Sequence, residues 1–464
     1  MTPDQQDSFR DHIATADERG NRIWVFPTKP KGRFYSARTI VSWFLLAFLF
    51  GAPFIKVSGH PILLFDIINR KFIIFGLTFW PQDFHLFVLA TITLVVFVIL
   101  FTAVFGRLFC GWVCPQTIFM EMVFRKIEYL IEGNAGAQRR LAKGPWNGEK
   151  IFKKGLKNII FYALSFLIGN TFLAYIIGTD QLFKIMTDPP SQHVVGLTVM
   201  ILFSFVFYWV FAWFREQACT LVCPYGRLQS VLLDKHSIVV AYDYKRGEPR
   251  GLVERNEDFA NRGHCISCDA CVKVCPTGID IRNGTQLECI NCTACIDACD
   301  HVMDKVDLPR GLIRYASGNL IETGQRFKIT PRIILYSSVL TVLLTLITVF
   351  LINRTDIETT ILRAPGSIYE LTEEGMVRNL YTIKMVNKTY NPLDIDLKLR
   401  KPEGAIEIVG PKIKIEQDGY AESVFFVDID SSKLYTSNSL IYIDIYSNGE
   451  LIEEMKTNFK SPRK

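Results

Sequence analysis

The sequence predicts a multi-domain membrane protein: an α-helical transmembrane bundle, an inserted cysteine-rich domain and a C-terminal all-β sandwich. Three observations predict it. Five apolar stretches are each long enough to cross a bilayer as a helix, which takes about 20 residues. All twelve cysteines fall between Cys110 and Cys299. The last stretch, roughly 110 residues, alternates apolar and polar side chains between turn signals. The boundaries that follow are 1–38 for a basic N-terminal segment, 39–224 for four spans, 225–332 for the cysteine-rich domain, 333–352 for a fifth span and 353–464 for the β domain.

The spans run from about Thr39 to Val57, Phe84 to Phe105, Ile159 to Ile177, Val194 to Phe214 and Ile333 to Ile352. Buried helices of soluble cores rarely stay apolar for so long. The formal net charge is +6, but the basic residues cluster beside the apolar blocks, as membrane flanks do, which argues against a nucleic-acid partner. Arg10, Arg19, Arg22, Lys29, Lys31, Arg33 and Arg38 precede the first span. Arg107, Arg125, Lys126, Arg139, Arg140, Lys143, Lys150, Lys153, Lys154 and Lys157 separate the second from the third. The opposite loops hold only Arg70, Lys71 and Lys184. The expectation is a bacterial inner-membrane protein with its N-terminus and cysteine-rich domain in the cytoplasm and its tail in the periplasm. Met1 to Arg38 is polar and basic without a short apolar core, so no cleavable signal peptide is expected.

The first outer loop, Ser58 to Asp83, is itself apolar, but Asp66, Asn69, Arg70 and Lys71 interrupt it. A hairpin or surface-lying segment fits better than a sixth span. In the tail, Tyr381–Val386, Leu393–Leu399, Ala405–Val409 and Glu422–Val427 have β character. Ile441–Tyr446 and Leu451–Phe459 read as a hairpin around Asn448-Gly449. About seven short strands make a sandwich. The tail carries no cysteine and no paired acids in a recognisable site, so it reads as a binding or assembly module.

Cys265-x2-Cys268-x2-Cys271-x3-Cys275-Pro276 is the run of two-cluster bacterial ferredoxins, and it recurs as Cys289-x2-Cys292-x2-Cys295-x3-Cys299. Three closely spaced cysteines wrap one cubane, and the fourth of each run reaches the other. Cys265, Cys268, Cys271 and Cys299 should therefore hold one [4Fe–4S] cluster, and Cys289, Cys292, Cys295 and Cys275 a second. Zinc sites favour two separated pairs and explain the doubled run poorly. Asp300 follows Cys299 where Pro276 follows Cys275, a departure that leaves the ligand set complete.

The other four cysteines form Cys110-Gly-Trp-Val-Cys114-Pro115 after the second span and Cys219-Thr-Leu-Val-Cys223-Pro224 after the fourth. Both spans run from outside to inside, so both pairs are expected at the inner membrane face, in an internal repeat of span, thiol pair and proline. On a helix, residues four apart share a face with Cβ atoms about 5–6 Å apart, close enough to share a metal. The proline tends to end or kink that helix. Phe105–Arg107 and Trp213–Gln217 mark the interface level. Soft thiolates suit Cu(I); Met120 and Met122 just beyond Cys114 offer thioethers, although methionines at membrane level more often pack than ligate. Inert packing, a third iron–sulfur centre, a thiol–disulfide couple and zinc are the alternatives.

The histidines read as bland. His60, His85 and His193 fall near the outer face, where they could meet copper or a quinone. His236, His264 and His301 fall inside, the last two beside cluster cysteines. No phosphate loop, dinucleotide fingerprint or Ser/His/Asp set supports a hydrolase, a nucleotide-driven pump or a flavin site. Asn387-Lys388-Thr389 matches a glycosylation acceptor, which means little in a bacterial type of architecture.

The chain resembles the cytochrome c oxidase accessory proteins of the CcoG, FixG and RdxA type. The residues that carry the resemblance are FCGWVCPQ (Phe109 to Gln116), ACTLVCPYGRLQ (Ala218 to Gln229), the double ferredoxin run and the β-rich tail. It implies an Ig-like fold for the tail and a role in assembling cbb3-type oxidase, with Cu(II) reduced to Cu(I) during copper delivery. It also makes Cys110, Cys114, Cys219 and Cys223 the copper-handling thiols. The partners then expected are oxidase assembly factors, a copper transporter or chaperone and a cytoplasmic electron donor, with an oligomer allowed. FCGWVCP is also similar to membrane quinol-oxidising proteins of the NapH type, so a quinol dehydrogenase-like conduit is the second reading. A non-catalytic assembly scaffold is the third.

Overall fold

The computed structural model describes residues 14–462 apart from 18, 58, 68–69, 253–261, 326–327, 356, 367, 373–374, 390, 418, 435 and 448. Arg10, Ser58, Asn69 and Asn448 of the sequence reading lie outside the described residues. The described chain forms two compact units. One comprises residues 1–56, 61–70 and 87–347, the other 57–60, 71–86 and 348–464.

Five helices are long and apolar enough to span a bilayer: Arg33–Phe54, Phe84–Phe105, Gly148–Ile177, Val194–Phe214 and Pro331–Ile352. Three differ from the expected bounds, because hydropathy marks only the apolar part of a helix. The first begins six residues before Thr39 and ends before Val57, which pairs as a strand beyond it. The third starts at Gly148, where the Asn147 side chain accepts from the Lys150 amide as an N-cap. Its first turns are basic and carry Lys154 and Lys157 to the buried Glu132 at 2.9 and 3.0 Å.

The cysteine-rich segment packs, within the first unit, against the start of the first span and the end of the second. Val239–Tyr242 pairs antiparallel with Ile313–Ala316. Below them lie a short helix, Ala270–Lys273, and a longer one, Ala294–Lys305. Asp297 on the longer helix caps the first span. Its carboxylate accepts from the amides of Phe34 (3.1 Å) and Tyr35 (2.8 Å), two of the donors a helix start leaves unpaired. Gly32 is required there, since a Cβ would overlap Asp297.

In the second unit the tail is a two-sheet sandwich of nine strands. One sheet runs Gly404–Val409, Tyr420–Asp430, Met376–Asn387, Ile357–Arg363, with Glu370–Leu371 also paired to Met376–Asn387. The other runs Ile413–Ile415, Leu393–Lys401, Asn438–Ser447, Glu450–Lys460. The six strands expected by residue are all present but longer. Ile357–Arg363, Glu370–Leu371 and Ile413–Ile415 were missed; the latter two are too short to show a period of two. Val377, Tyr381, Ile383, Phe425, Val427, Ile441, Ile443 and Phe459 fill the space between the sheets. Tyr381 Oη donates to Asn458 O (2.8 Å) and Asn379 Nδ2 to Lys460 O (2.8 Å), tying one sheet to the other. The outer loop forms the hairpin Lys71–Ile74 with Leu77–Phe79. Asn387 is buried and donates to Asn391 O at 2.7 Å, so it is not an acceptor for glycan.

A buried ion cluster holds the second unit together. Lys388, 3% exposed at its side chain, pairs with Asp83 Oδ1 (2.7 Å) and Glu358 Oε2 (2.8 Å), and Arg354 pairs with Asp83 Oδ2 (2.9 Å). Burial works to raise the Asp83 pKa, but hydrogen bonds from Lys388 and Arg354 hold it below the ordinary carboxylate value. Its contribution to stability is therefore present above the unfolded pKa and lost as pH falls through the depressed one. Lys388→Ala strands a buried carboxylate and is expected to cost about 3 kcal/mol, seen as a lower thermal midpoint for the tail. Pairing it with Asp83→Asn should restore much of the loss; a double variant as unstable as the sum of both singles would contradict the coupling.

Candidate functional site

Two cavities in the cysteine-rich fold divide the eight run cysteines between them. One is lined by Cys265, Cys268, Cys271 and Cys299 with Tyr242 and Arg282. The other is lined by Cys275, Cys289, Cys292 and Cys295, with Pro276, Thr277 and the edge of Cys271. Each is a small cavity of about 20 Å3. The fourth cysteine of each run thus faces the three of the other.

Backbone shape explains why. In each run the residues on either side of the second cysteine have positive φ: Ser267 (52°) and Asp269 (58°), then Asn291 (52°) and Thr293 (64°). Such alternation makes a concave nest of amides that favours an anionic group. None of the four is glycine, so composition did not signal these bends. Burial pushes the thiols up, Cys271, Cys289 and Cys299 to about 12 and Cys292 to about 11. A cationic metal centre is what would hold them as thiolates. Among the described residues no three His, Cys, Asp or Glu side chains close around a single ion. Thiols spread around a cavity suit a multi-iron cofactor better than a zinc ion.

The membrane-face pairs come next. Neither pair lies on one continuous helix, contrary to the expectation from spacing. Cys110 is helical, within Leu108–Trp112, but Cys114 is extended (φ −57°, ψ 122°) and starts the next helix at Pro115. Cys219 lies in the π-helical turn Ala218–Val222, and Cys223 is extended (φ −63°, ψ 111°) before Pro224. A residue before proline is pushed out of the α region, which sets the second thiol of each pair apart. The repeat is nevertheless real in the backbone. The amides of Cys114 and Cys223 each donate five residues back, to Phe109 O and Ala218 O, both at 2.9 Å. Positive φ occurs four residues before each first cysteine, at Gly106 (55°) and Arg215 (52°).

Both pairs converge. Cys110 and Cys219 are each within electrostatic reach of Cys114 and Cys223, and burial pushes them up to about 11 and about 12. Cys110 exchanges sulfur contacts with Gln229 (3.4–3.5 Å) and packs against the buried cluster that contains Val274, Ile290, Cys292 and Ala294. Gly111 makes that approach close: a Cβ there would meet Ile290 O at 2.5 Å and Asn291 O at 2.8 Å. Cys219 lines a cavity with Thr117, Met120, Glu121, Pro276 and Thr277. Both pairs therefore border the second thiol set, Cys275, Cys289, Cys292 and Cys295. Of the methionines, Met120 shares the Cys219 cavity, whereas Met122 is buried beside Thr39.

The charges around the site were expected at the membrane interface, but several are buried. Arg107, Arg215, Glu216 and Gln217 are all at most 7% exposed. Arg215 takes a strained backbone (φ 52°, ψ −124°), a conformation that costs about 1–3 kcal/mol. It is held by a bidentate pair with Glu128 at 2.9 and 2.7 Å. Burial would raise Glu128, but Arg215 and Lys157 beside it bring it down to about 2. Arg22 joins the same cluster through Glu216 at 2.8 Å and lies 3.8 Å over the Trp24 ring. Sequence reading also missed Arg38, Gln229, Tyr315 and Asn291. Arg38 donates to Gly111 O (2.6 Å) and Cys292 O (3.4 Å), and Trp112 Nε1 donates to Tyr315 Oη (3.0 Å). Gln229 and Asn291 lie inside the motifs, whereas Arg38 and Tyr315 carry no local signal.

The histidines stand apart from the thiols in their contacts. His193 meets Asp188 at 3.0 Å, His236 meets Asn319, and His264 Nδ1 accepts from Arg246 at 2.8 Å. His85 packs edge-on against Phe350, and His301 is exposed.

Three family models match the chain. One described as a 4Fe-4S dicluster domain covers residues 214–318, and one described as an IG-like fold at the C-terminal of FixG covers 347–462. A third, a 4Fe-4S binding domain, covers 87–134 and so includes Cys110 and Cys114. Protein RdxA of Cereibacter sphaeroides is 37% identical over 79% of this chain and 80% of that protein. Protein RdxB of the same organism is 33% identical over 81% of each, and nitrogen fixation protein FixG of Rhizobium meliloti is 31% identical over 83% of this chain and 81% of its own. The crystal structure of a FixG-related protein from Vibrio parahaemolyticus matches 23% of this chain and 97% of that one, at 20% identity and TM-score 0.20. With its spans and its iron–sulfur domains, this chain belongs to the FixG/RdxA family and is a membrane iron–sulfur protein of electron-transferring oxidoreductase type.

Proposed function

We propose that this chain reduces Cu(II) to Cu(I) at the membrane face during assembly of a cbb3-type cytochrome c oxidase. The observation that carries the reading is the packing of Cys110 against the buried cluster that includes Ile290 and Cys292, with the Cys219 cavity reaching Pro276, Thr277 and Ile290. In this reading Cys265, Cys268, Cys271 and Cys299 hold one [4Fe–4S] cluster, and Cys289, Cys292, Cys295 and Cys275 the other. When bound, the clusters supply one-electron redox chemistry beside the membrane thiols. The chain's residues do the rest. The positive-φ turns aim amides at the two cavities, and the apolar walls exclude water. Cys110, Cys114, Cys219 and Cys223 bind copper as substrate, and soft sulfur favours its reduced state. Met120 offers a thioether on the wall of the same cavity.

Each Cu(II) takes one electron, drawn from a soluble one-electron reductant on the cytoplasmic side. The Cu(I) product stays on sulfur until a copper transporter or chaperone takes it. The tail, on the periplasmic side, serves as the docking module for oxidase assembly factors.

A second reading has its own observation. The 4Fe-4S binding family model over residues 87–134 contains Cys110 and Cys114 but none of the eight run cysteines. On that reading the four membrane-face thiols hold iron. The variant with Cys110, Cys114, Cys219 and Cys223 all changed to Ser separates the two. The copper reading expects the anaerobically purified variant to keep about eight iron atoms per chain and to lose Cu(II) reduction. A fall from about twelve iron atoms to about eight would favour iron there instead. Oxidation of a quinol with no Cu(II) reduction would favour the quinol dehydrogenase-like reading.

Copper binding should also depend on pH with a fixed sign. Cys110 and Cys219 are protonated at neutral pH and must release their protons to the metal. Apparent Cu(I) affinity, measured by competition with a chromophoric chelator, should rise about tenfold per pH unit for each such thiol engaged. An affinity flat between about pH 6.5 and about pH 8.5 would exclude both as ligands.

A further inference from the structure

Two arginines from the membrane part of the chain are buried against the second thiol set. Arg38, 3% exposed, donates Nε to Gly111 O (2.6 Å) and Nη1 to Cys292 O (3.4 Å), while its Nη2 has no partner among the described residues. Arg107, 5% exposed, donates Nη2 to Gly226 O (2.5 Å) and has an unpartnered Nε. Its guanidinium is within electrostatic reach of Cys110 and Cys289. Among the described residues neither arginine makes an ion pair. The acids around the site are Glu121, which shares a cavity with Arg38 but pairs with Arg125 at 3.3 Å, Glu216, which pairs with Arg22 at 2.8 Å, and the half-buried Glu288. A buried cation without a bonded counter-ion is costly. Two of them beside cysteines of one thiol set, Arg38 at Cys292 and Arg107 near Cys289, point to an anionic occupant, which four thiolates on a cluster would provide.

The first thiol set has the opposite surroundings. Asp300, buried and adjacent to Cys299, accepts from the Gly311 amide at 2.9 Å. Its nearest cation, the exposed Arg33, is 3.5 Å away. The arginine lining that cavity, Arg282, is neutralised by Asp280 (2.7 Å) and Asp269 (2.8 Å). Arg246 hydrogen-bonds to His264 and to the carbonyls of Pro309 and Arg310, and its charge, which also reaches Cys299, is shared with Asp243 and Asp300.

We infer that Arg38 and Arg107 raise the reduction potential at the Cys275, Cys289, Cys292, Cys295 set above that at the Cys265, Cys268, Cys271, Cys299 set, where Asp300 lowers it. This rests on the reading of the two sets as cluster ligands. Burial and net charge are levers on iron–sulfur potentials. A soluble reductant that gives up one electron, and is thereby oxidised, would feed the first set, and the higher potential at the second set would hold that electron beside the membrane-face thiols. Arg38 and Arg107 are positioning residues; they touch the cluster loops and the motif backbone, not the substrate.

The test is an EPR-monitored redox titration of the anaerobically purified full chain, with iron determined on each sample. Two signals with separated midpoints are expected. Arg38→Gln and Arg107→Gln should each lower the higher midpoint enough to change the oxidised-to-reduced ratio at fixed potential at least tenfold, 59 mV for a one-electron couple. Arg38→Lys should keep most of the wild-type value. Asp300→Asn should raise the lower midpoint and leave the higher one in place. Coincident midpoints, or an Arg107→Gln shift in the lower signal only, would overturn the inference. Should Arg38→Gln lose iron, Arg107→Gln and Asp300→Asn decide the matter by the same criteria. Fewer than about eight iron atoms in the unsubstituted chain would instead overturn the cluster reading itself.

Discussion

The site depends on one close backbone contact, between Gly111 and the Ile290–Asn291 segment. Only a residue without a Cβ allows the carbonyls of Ile290 and Asn291 this near. Gly111 belongs to the membrane motif and Ile290 to the loop between Cys289 and Cys292, so this contact is where membrane thiols and cluster thiols meet. Arg38 closes it by hydrogen-bonding to a carbonyl on each side. Asp297 adds a second joint by capping the first span from the cysteine-rich fold. The membrane helices and the cysteine-rich fold are one unit because polar groups of each complete the other.

That arrangement gives the thiol pairs their chemical setting. They lie just beyond the C-terminal ends of the second and fourth spans, where irregular backbone is tolerated because it is covered by protein. The π-turns, the extended residues before proline and the strained Arg215 all fall in this short region. Strain of this kind persists only when its surroundings over-determine it. Here the bidentate Glu128 pair and the charges clustered on it supply that determination.

Much of this was legible in the sequence, and for identifiable reasons. Apolar length marks spans, and the second and fourth came out to the residue. The doubled cysteine run leads to the expectation that the fourth cysteine of each run joins the first three of the other, and the fold groups the thiols around two cavities in that way. Other features were illegible because their meaning is tertiary. Arg38 and Arg107 look like ordinary positive flanks, and only the fold shows them buried. The helical i, i+4 reading of the thiol pairs failed because proline acts on the residue before it. The bends at Ser267, Asp269, Asn291 and Thr293 carry no glycine to announce them.

The most direct test of the account is the proximity of Cys110 to position 290 in the folded, cluster-loaded chain. A short bifunctional thiol reagent applied to the Ile290→Cys variant should join the two positions, identified by mass of the linked peptide. Iron content should stay at about eight atoms per chain. A variant with full iron content, in which Cys110 and position 290 are each singly labelled but never linked, would contradict the contact on which the site is built.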